Sequence, residues 1–192
     1  MKSVTNLPEG YREVMHIDLQ KDKRLAWIVS GLATVIMVIM FVAAMPLVPF
    51  STLHNGGNMG KYIALLVGYV AYIFLHEAVH GIAMKHYCEA KVNYGLTGMY
   101  AYAGSEGYYC RKDYIVIALA PIAVWGIVLA ILNFMVPTDW FYVVYLIQIG
   151  NISGAAGDLY VTWRMSKLPA DILVKDTGIS MTAYSREAVE EQ

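Results

Sequence analysis

Hydrophobic positions in this chain gather into long unbroken runs instead of alternating with polar ones. Leu25 to Met45, LAWIVSGLATVIMVIMFVAAM, carries no charge anywhere along it. A helix needs about 20 such residues to cross a bilayer core. Pro46 and Pro49 close the run, as helix breakers do. STLHNGGNMG, Ser51 to Gly60, reads as a loop. A second apolar stretch covers Lys61 to Met84, and a third, Tyr114 to Val136, is uncharged throughout. MVPTDW then reads as a tight turn, with Pro137 as its breaker and Trp140 as an interfacial anchor. A fourth stretch, Trp140 to Trp163, is interrupted only by Asp158. The pattern predicts an all-α membrane protein, a four-transmembrane-helix bundle with helices at about 25–45, 61–84, 114–136 and 140–163.

The polar segments carry a different period. GYREVMHIDL (10–19) partly alternates and reads as a strand. KVNYGLTGMYAYAGSEGYY (91–109) is rich in Tyr and Gly with period-two stretches, a hairpin pattern directly after the second helix. In ILVKDTGISMTAY (172–184), β-formers flank Asp176-Thr177-Gly178, predicting a second hairpin. Small cytoplasmic β-hairpin elements are therefore expected beside the bundle.

Positive charge orients the helices. Thirteen of the fourteen Lys and Arg residues precede the first run, lie between the second and third, or follow the fourth; the remaining one is Lys61. Cytoplasmic loops collect Lys and Arg. Both termini are thus expected in the cytoplasm, with 1–24 and 164–192 as cytoplasmic segments of a single domain, 1–192. The segment 1–24 is too long and polar for a signal-peptide start, so the first run is expected to be a retained anchor. Composition agrees: 58% of residues are apolar and 15% charged, against about a quarter charged in soluble domains. The net charge of −1 gives no field that would draw the chain to nucleic acid. Cys88 and Cys110 form no CxxC pair and are expected as reduced structural thiols.

The chemistry sits in LHEAVHG, Leu75 to Gly81. HExxH on a helix stacks His76 and His80 on one face, where their imidazoles can share one metal ion. Glu77 beside them can take a proton from a water on that metal. Zinc lowers the pKa of such a water to about 7. Ionisable groups inside a membrane helix are costly and usually functional, which weighs against two merely structural histidines.

A catalytic zinc needs a third protein ligand. His86 is one candidate. HEAVHGIAMKH resembles the metzincin pattern, but Ala83 stands where that pattern needs a turning Gly. On a continuing helix His86 lies about 240° from His80, pointing away. Asp158 is the better candidate. From the outer ends of their helices, His76 lies about 21 Å deep, His80 about 27 Å and Asp158 about 25 Å at 1.5 Å per residue. In QIGNISGAAGD, Asn151, Gly154 and Asp158 fall at i, i+3 and i+7, one face of a helix. A small polar stripe is expected to face inward, with Asn151 near substrate or orienting a ligand.

These residues resemble a family. HEAVH late in one membrane helix, with an Asp late in a later one, looks like the site-2-type intramembrane metalloproteases. More closely, LPEGYREV, LHEAVHG, ALAP and GNISGAAGD make most of the chain similar to a small bacterial family of putative zincin peptidases, once a domain of unknown function. The resemblance implies zinc held by His76, His80 and Asp158, with Glu77 as general base. It departs in having Gly157 before Asp158, Leu159 after it, and no Pro between Asn151 and Asp158.

The expected function is a multi-pass zinc metalloprotease in the bacterial cytoplasmic membrane, hydrolysing peptide bonds near the cytoplasmic face. Its partners would be the bilayer and a protein or peptide substrate, membrane-embedded or soluble. The rivals are a non-catalytic metal-binding membrane protein, such as a sensor or pseudo-protease, and a transporter or haem bundle. The last would need a partner histidine on another helix, and His16, His54 and His86 lie outside the helices.

Overall fold

The computed structural model describes residues 2–55, 59–98 and 100–186. In chain order the elements are β1 (Arg12–Ile17), α1 (Lys23–Ala44), α2 (Met59–Tyr87), β2 (Val92–Leu96), β3 (Ala101–Ser105), β4 (Tyr109–Cys110), α3 (Arg111–Met135), α4 (Phe141–Gly154), α5 (Ala156–Lys167), β5 (Leu173–Asp176) and β6 (Met181–Ser185). Among the described residues, three helices are long and apolar enough to cross a membrane: α1, α2 and α3, with 22, 29 and 25 residues.

The expected fourth span, 140–163, is not one helix. It divides at Ala155 into α4, of 14 residues, and α5, of 12. Three features of the sequence weaken it there. Gly154 and Gly157 flank the break and favour helix least among residues other than proline. Ser153 turns its hydroxyl back onto the Ile149 carbonyl at 2.7 Å, a bond that loosens and bends helices. The Ala155 N–H then bonds the Ser153 carbonyl and closes α4. The expected Asn151–Gly154–Asp158 stripe goes with it. Gly154 is exposed, with nothing near its Cα face, and Asp158 belongs to a different helix from Asn151.

Contacts divide the chain into two units. The first combines the chain up to Trp27, Glu77–Ala120 and the chain from Asp158 onward. It contains a four-stranded antiparallel sheet in the order β1-β6-β5-β4 and the separate β2-β3 hairpin. β2 and β3 pair from Val92↔Ser105 to Leu96↔Ala101. β1 joins β6 with an irregularity between Glu13 and Met15. Both hairpins were expected. The joining of β1 to the second of them, and of the short β4 to β5, was not.

The core of this unit is Met15, Ile17, Met84, Tyr109, Ile117, Met165, Ile172, Val174 and neighbours. Burial pushes the Tyr109 phenol up to about 12, so its hydroxyl stays protonated and donates to Ser105 Oγ at 2.7 Å. The β5–β6 turn needs glycine at Gly178, whose φ is +79°. There Asp176 Oδ1 accepts the Gly178 N–H at 2.8 Å and Asp176 Oδ2 accepts the Tyr114 hydroxyl at 2.5 Å. Burial pushes the Asp176 carboxyl above the usual carboxylate range. Cys88 and Cys110 are both free and buried, as expected.

The second unit is Ile28–His76 with Pro121–Gly157. Its helices meet through aromatic hydroxyls and small residues. Tyr142 donates to the Val48 carbonyl at 2.7 Å and Tyr145 to the Met40 carbonyl at 2.9 Å. Gly150 lies under the Tyr69 ring, where a Cβ would come within 2.4 Å of it. That contact requires glycine on α4, the close approach that small residues allow between membrane helices.

Candidate metal centre

α2 runs unbroken through the motif, so the relation of His76 to His80 is plain helix geometry: about one turn apart, on one face. Both side chains are buried, each residue 9% exposed. Glu77, between them, is half-buried. Leaving a polar ring inside an apolar span is costly unless its N–H is satisfied, and each ring nitrogen next to Cβ has a specific partner.

His76 Nδ1 lies 2.8 Å from the Tyr72 hydroxyl. That hydroxyl has one proton, and it donates it to Asn151 Oδ1 at 3.0 Å. The Asn151 amide is oriented in turn, because its Nδ2 donates to the Ile122 carbonyl at 3.3 Å. His76 must therefore be the donor to Tyr72, which makes Nε2 the lone-pair atom. His80 Nδ1 lies 3.0 Å from the Ile117 carbonyl. A carbonyl only accepts, so His80 Nδ1 also carries a proton, and in the neutral ring that a metal ligand must be, Nε2 is again the lone-pair atom.

Asp158 sits in the first turn of α5, where a carboxylate is favoured by the helix dipole. The break at Ala155 creates this position; a continuous fourth helix would have put Asp158 mid-helix. Its Oδ1 lies 3.7 Å from His80 Nε2. His76, His80 and Asp158 each offer one ligand atom, and these atoms lie within 4.8 Å of one another. Tetrahedral zinc ligands at 2.0–2.2 Å from the metal stand roughly 3.3–3.6 Å apart, so the group could hold a metal ion with small side-chain adjustments. The donor set, two imidazoles and one carboxylate, suits zinc. Ligating histidines almost always donate their other ring N–H to a fixed acceptor, and both of these do.

His86, the rival ligand, is exposed near the end of α2 with its ring edge on Tyr87. It is outside the group. Asn151 is fully buried behind His76, holding Tyr72. Two participants escaped the sequence reading. Tyr72 had a signal: it precedes His76 by four positions, on the same helix face. The Ile117 carbonyl had none of its own, since a backbone oxygen carries no residue type. Tyr94 on β2 is also near the motif. Its hydroxyl packs against Gly81, where a Cβ would come within 2.0 Å of it.

Tyr72→Phe removes the acceptor for His76 Nδ1 and leaves Asn151 Oδ1 without its donor. Zinc affinity is expected to fall about 10–100-fold, read by competition titration against a chromophoric chelator. Unchanged affinity would exclude Tyr72 from the support of the site.

A helical chain with membrane-length spans that brings two motif histidines and a carboxylate within ligand distance defines a metallopeptidase-like class. Residues 69–173, more than half of the chain, match the model of the family described as "Putative zincin peptidase". The chain belongs to that family. No curated protein and no solved structure matches it.

Proposed function

We propose that this protein is a multi-pass membrane zinc metalloprotease whose site lies near the cytoplasmic face. The observation that carries the reading is the pair of oriented imidazoles, both turned Nε2-first, with the Asp158 carboxylate 3.7 Å from one of them. His76, His80 and Asp158 would hold the zinc, which would supply a Lewis acid for the scissile carbonyl and lower the pKa of an attacking water. Glu77, next to His76 on α2, takes the proton from the attacking water and returns it to the leaving amine. Tyr72 and the Ile117 carbonyl hold the two rings through their Nδ1–H groups while this happens.

The substrate is a peptide in extended form. Cleavage needs backbone that is out of its helix, and among the described strands β2 pairs only with β3. Its other edge suits the addition of a strand. Tyr94 ties that strand to Gly81, the residue after the second histidine.

Membrane orientation follows the charges. With α1, α2, α3 and the 140–163 stretch, α4 and α5 taken together, each crossing, thirteen of the fourteen Lys and Arg residues fall on the side of both termini, which the positive-inside rule makes cytoplasmic. The β strands then face the cytoplasm. The likeness to site-2-type proteases belongs to this proposal, and so does bacterial origin.

Protein purified in detergent is expected to contain about one zinc per chain and to cleave a degenerate peptide library, read as new N-termini by mass spectrometry. Stripping the metal with 1,10-phenanthroline abolishes cleavage, and zinc restores it. A metal-free protein, or cleavage that persists in the chelator, would overturn the proposal.

A further inference from the structure

We infer that Pro121 is a positioning residue for His80: by withholding a backbone N–H from α3, it leaves the Ile117 carbonyl to accept the His80 Nδ1–H. The inference rests on the metal-site reading above and adds a residue to it. Pro121 lies inside α3 and is fully buried. In an α-helix the N–H of one residue bonds the carbonyl four positions earlier, and four before Pro121 is Ile117. Proline has no N–H to give, and its ring crowds that same carbonyl. The Ile117 oxygen is therefore deprived of its ladder donor. Ile117 is itself buried, at 1% exposure, and a buried carbonyl calls for a partner. The partner in the structure is His80 Nδ1, at 3.0 Å.

The consequence is chemical. An acceptor on Nδ1 selects the tautomer with its lone pair on Nε2, the atom 3.7 Å from Asp158. A proline that only bent α3 would leave the tautomer of His80 indifferent. A proline that exposes this carbonyl dictates it. His76 is held by a different device, the Tyr72 hydroxyl, so the two ligands can be perturbed separately.

Pro121→Ala restores the N–H and returns the Ile117 carbonyl to the ladder of α3. The full chain in detergent is expected to keep or raise its unfolding temperature without metal, yet to bind zinc about tenfold more weakly or worse. Nitrogen-15 NMR of the zinc-free protein, recorded at a pH high enough that the His80 ring is neutral, should show His80 losing its Nδ1–H tautomer while His76 keeps its own. A backbone ester, lactate at 121, also lacks the N–H but not through a ring, and is expected to restore the tautomer and most of the affinity. Wild-type zinc affinity and an unchanged His80 tautomer in Pro121→Ala would overturn the inference, as would failure of the ester to rescue. Wild-type protein that binds no zinc would overturn the metal-site reading itself. That failure is told apart because the wild-type tautomer still reports the hydrogen bond.

Discussion

Glu77→Gln is expected to keep about one zinc per chain and to lose peptide hydrolysis by roughly 10²–10⁴-fold, the usual contribution of general acid–base catalysis. Glutamine has the size and shape of glutamate but cannot take a proton. Glu77 is outside the group of ligand atoms formed by His76, His80 and Asp158, so the metal has no direct reason to leave. It is half-buried on the same turn of α2 as His76, and the variant adds no volume there. Two measurements separate the readings: zinc by mass spectrometry of the purified protein, and turnover of a peptide that the wild type cleaves. Full turnover in Glu77→Gln would remove the glutamate from the mechanism. A biological effect that survives in Glu77→Gln and vanishes in His76→Ala would instead favour a non-catalytic, metal-dependent regulator.

The motif and the three longest helices were legible because each is local. HExxH states its own geometry once the segment is a helix, and a run such as Leu25–Met45 has few other uses. The strands were legible for the same reason: the Asp176-Thr177-Gly178 turn and the Tyr/Gly alternation of 91–109 are short-range signals. Pairing was not. β1 lies near the start of the chain and β6 near its end, yet they bond from Arg12↔Ser185 to Ile17↔Met181. That choice is made by the shared core of Met15, Ile17, Met181 and Ala183.

The fourth apolar stretch misled for a physical reason. Hydrophobicity alone made 140–163 one span, while Ser153 back-bonding and the glycines at 154 and 157 weaken the helix where hydropathy records nothing. Asp158 still lies with His76 and His80 as expected, but it gets there from a different helix. The depth comparison placed Asp158 level with the histidines on a continuous helix, whereas the structure brings it near His80 in the first turn of α5.

Asp158→Ala is expected to empty the site. Removing it leaves two neutral imidazoles, and catalytic zinc sites use three protein ligands. It also removes the only anion of the set, so affinity should fall by more than the roughly 10–100-fold typical of losing a supporting hydrogen bond. The fold gives little reason to fail: the Asp158 side chain is 28% exposed and lies outside the core cluster of its unit. Unfolding temperature without metal should therefore change little, while zinc per chain drops from about one toward zero. Asp158→Asn sharpens the comparison, because it keeps an oxygen of similar reach and loses the charge; it should bind zinc between the wild type and Asp158→Ala. His86→Ala is the necessary counterpart. With its ring on Tyr87 near the end of α2, His86 should be dispensable, and its loss should leave zinc content unchanged. Retained zinc in Asp158→Ala that disappears only in the double variant with His86→Ala would move the third ligand from α5 to the end of α2. The break at Ala155 would then have no part in building the site.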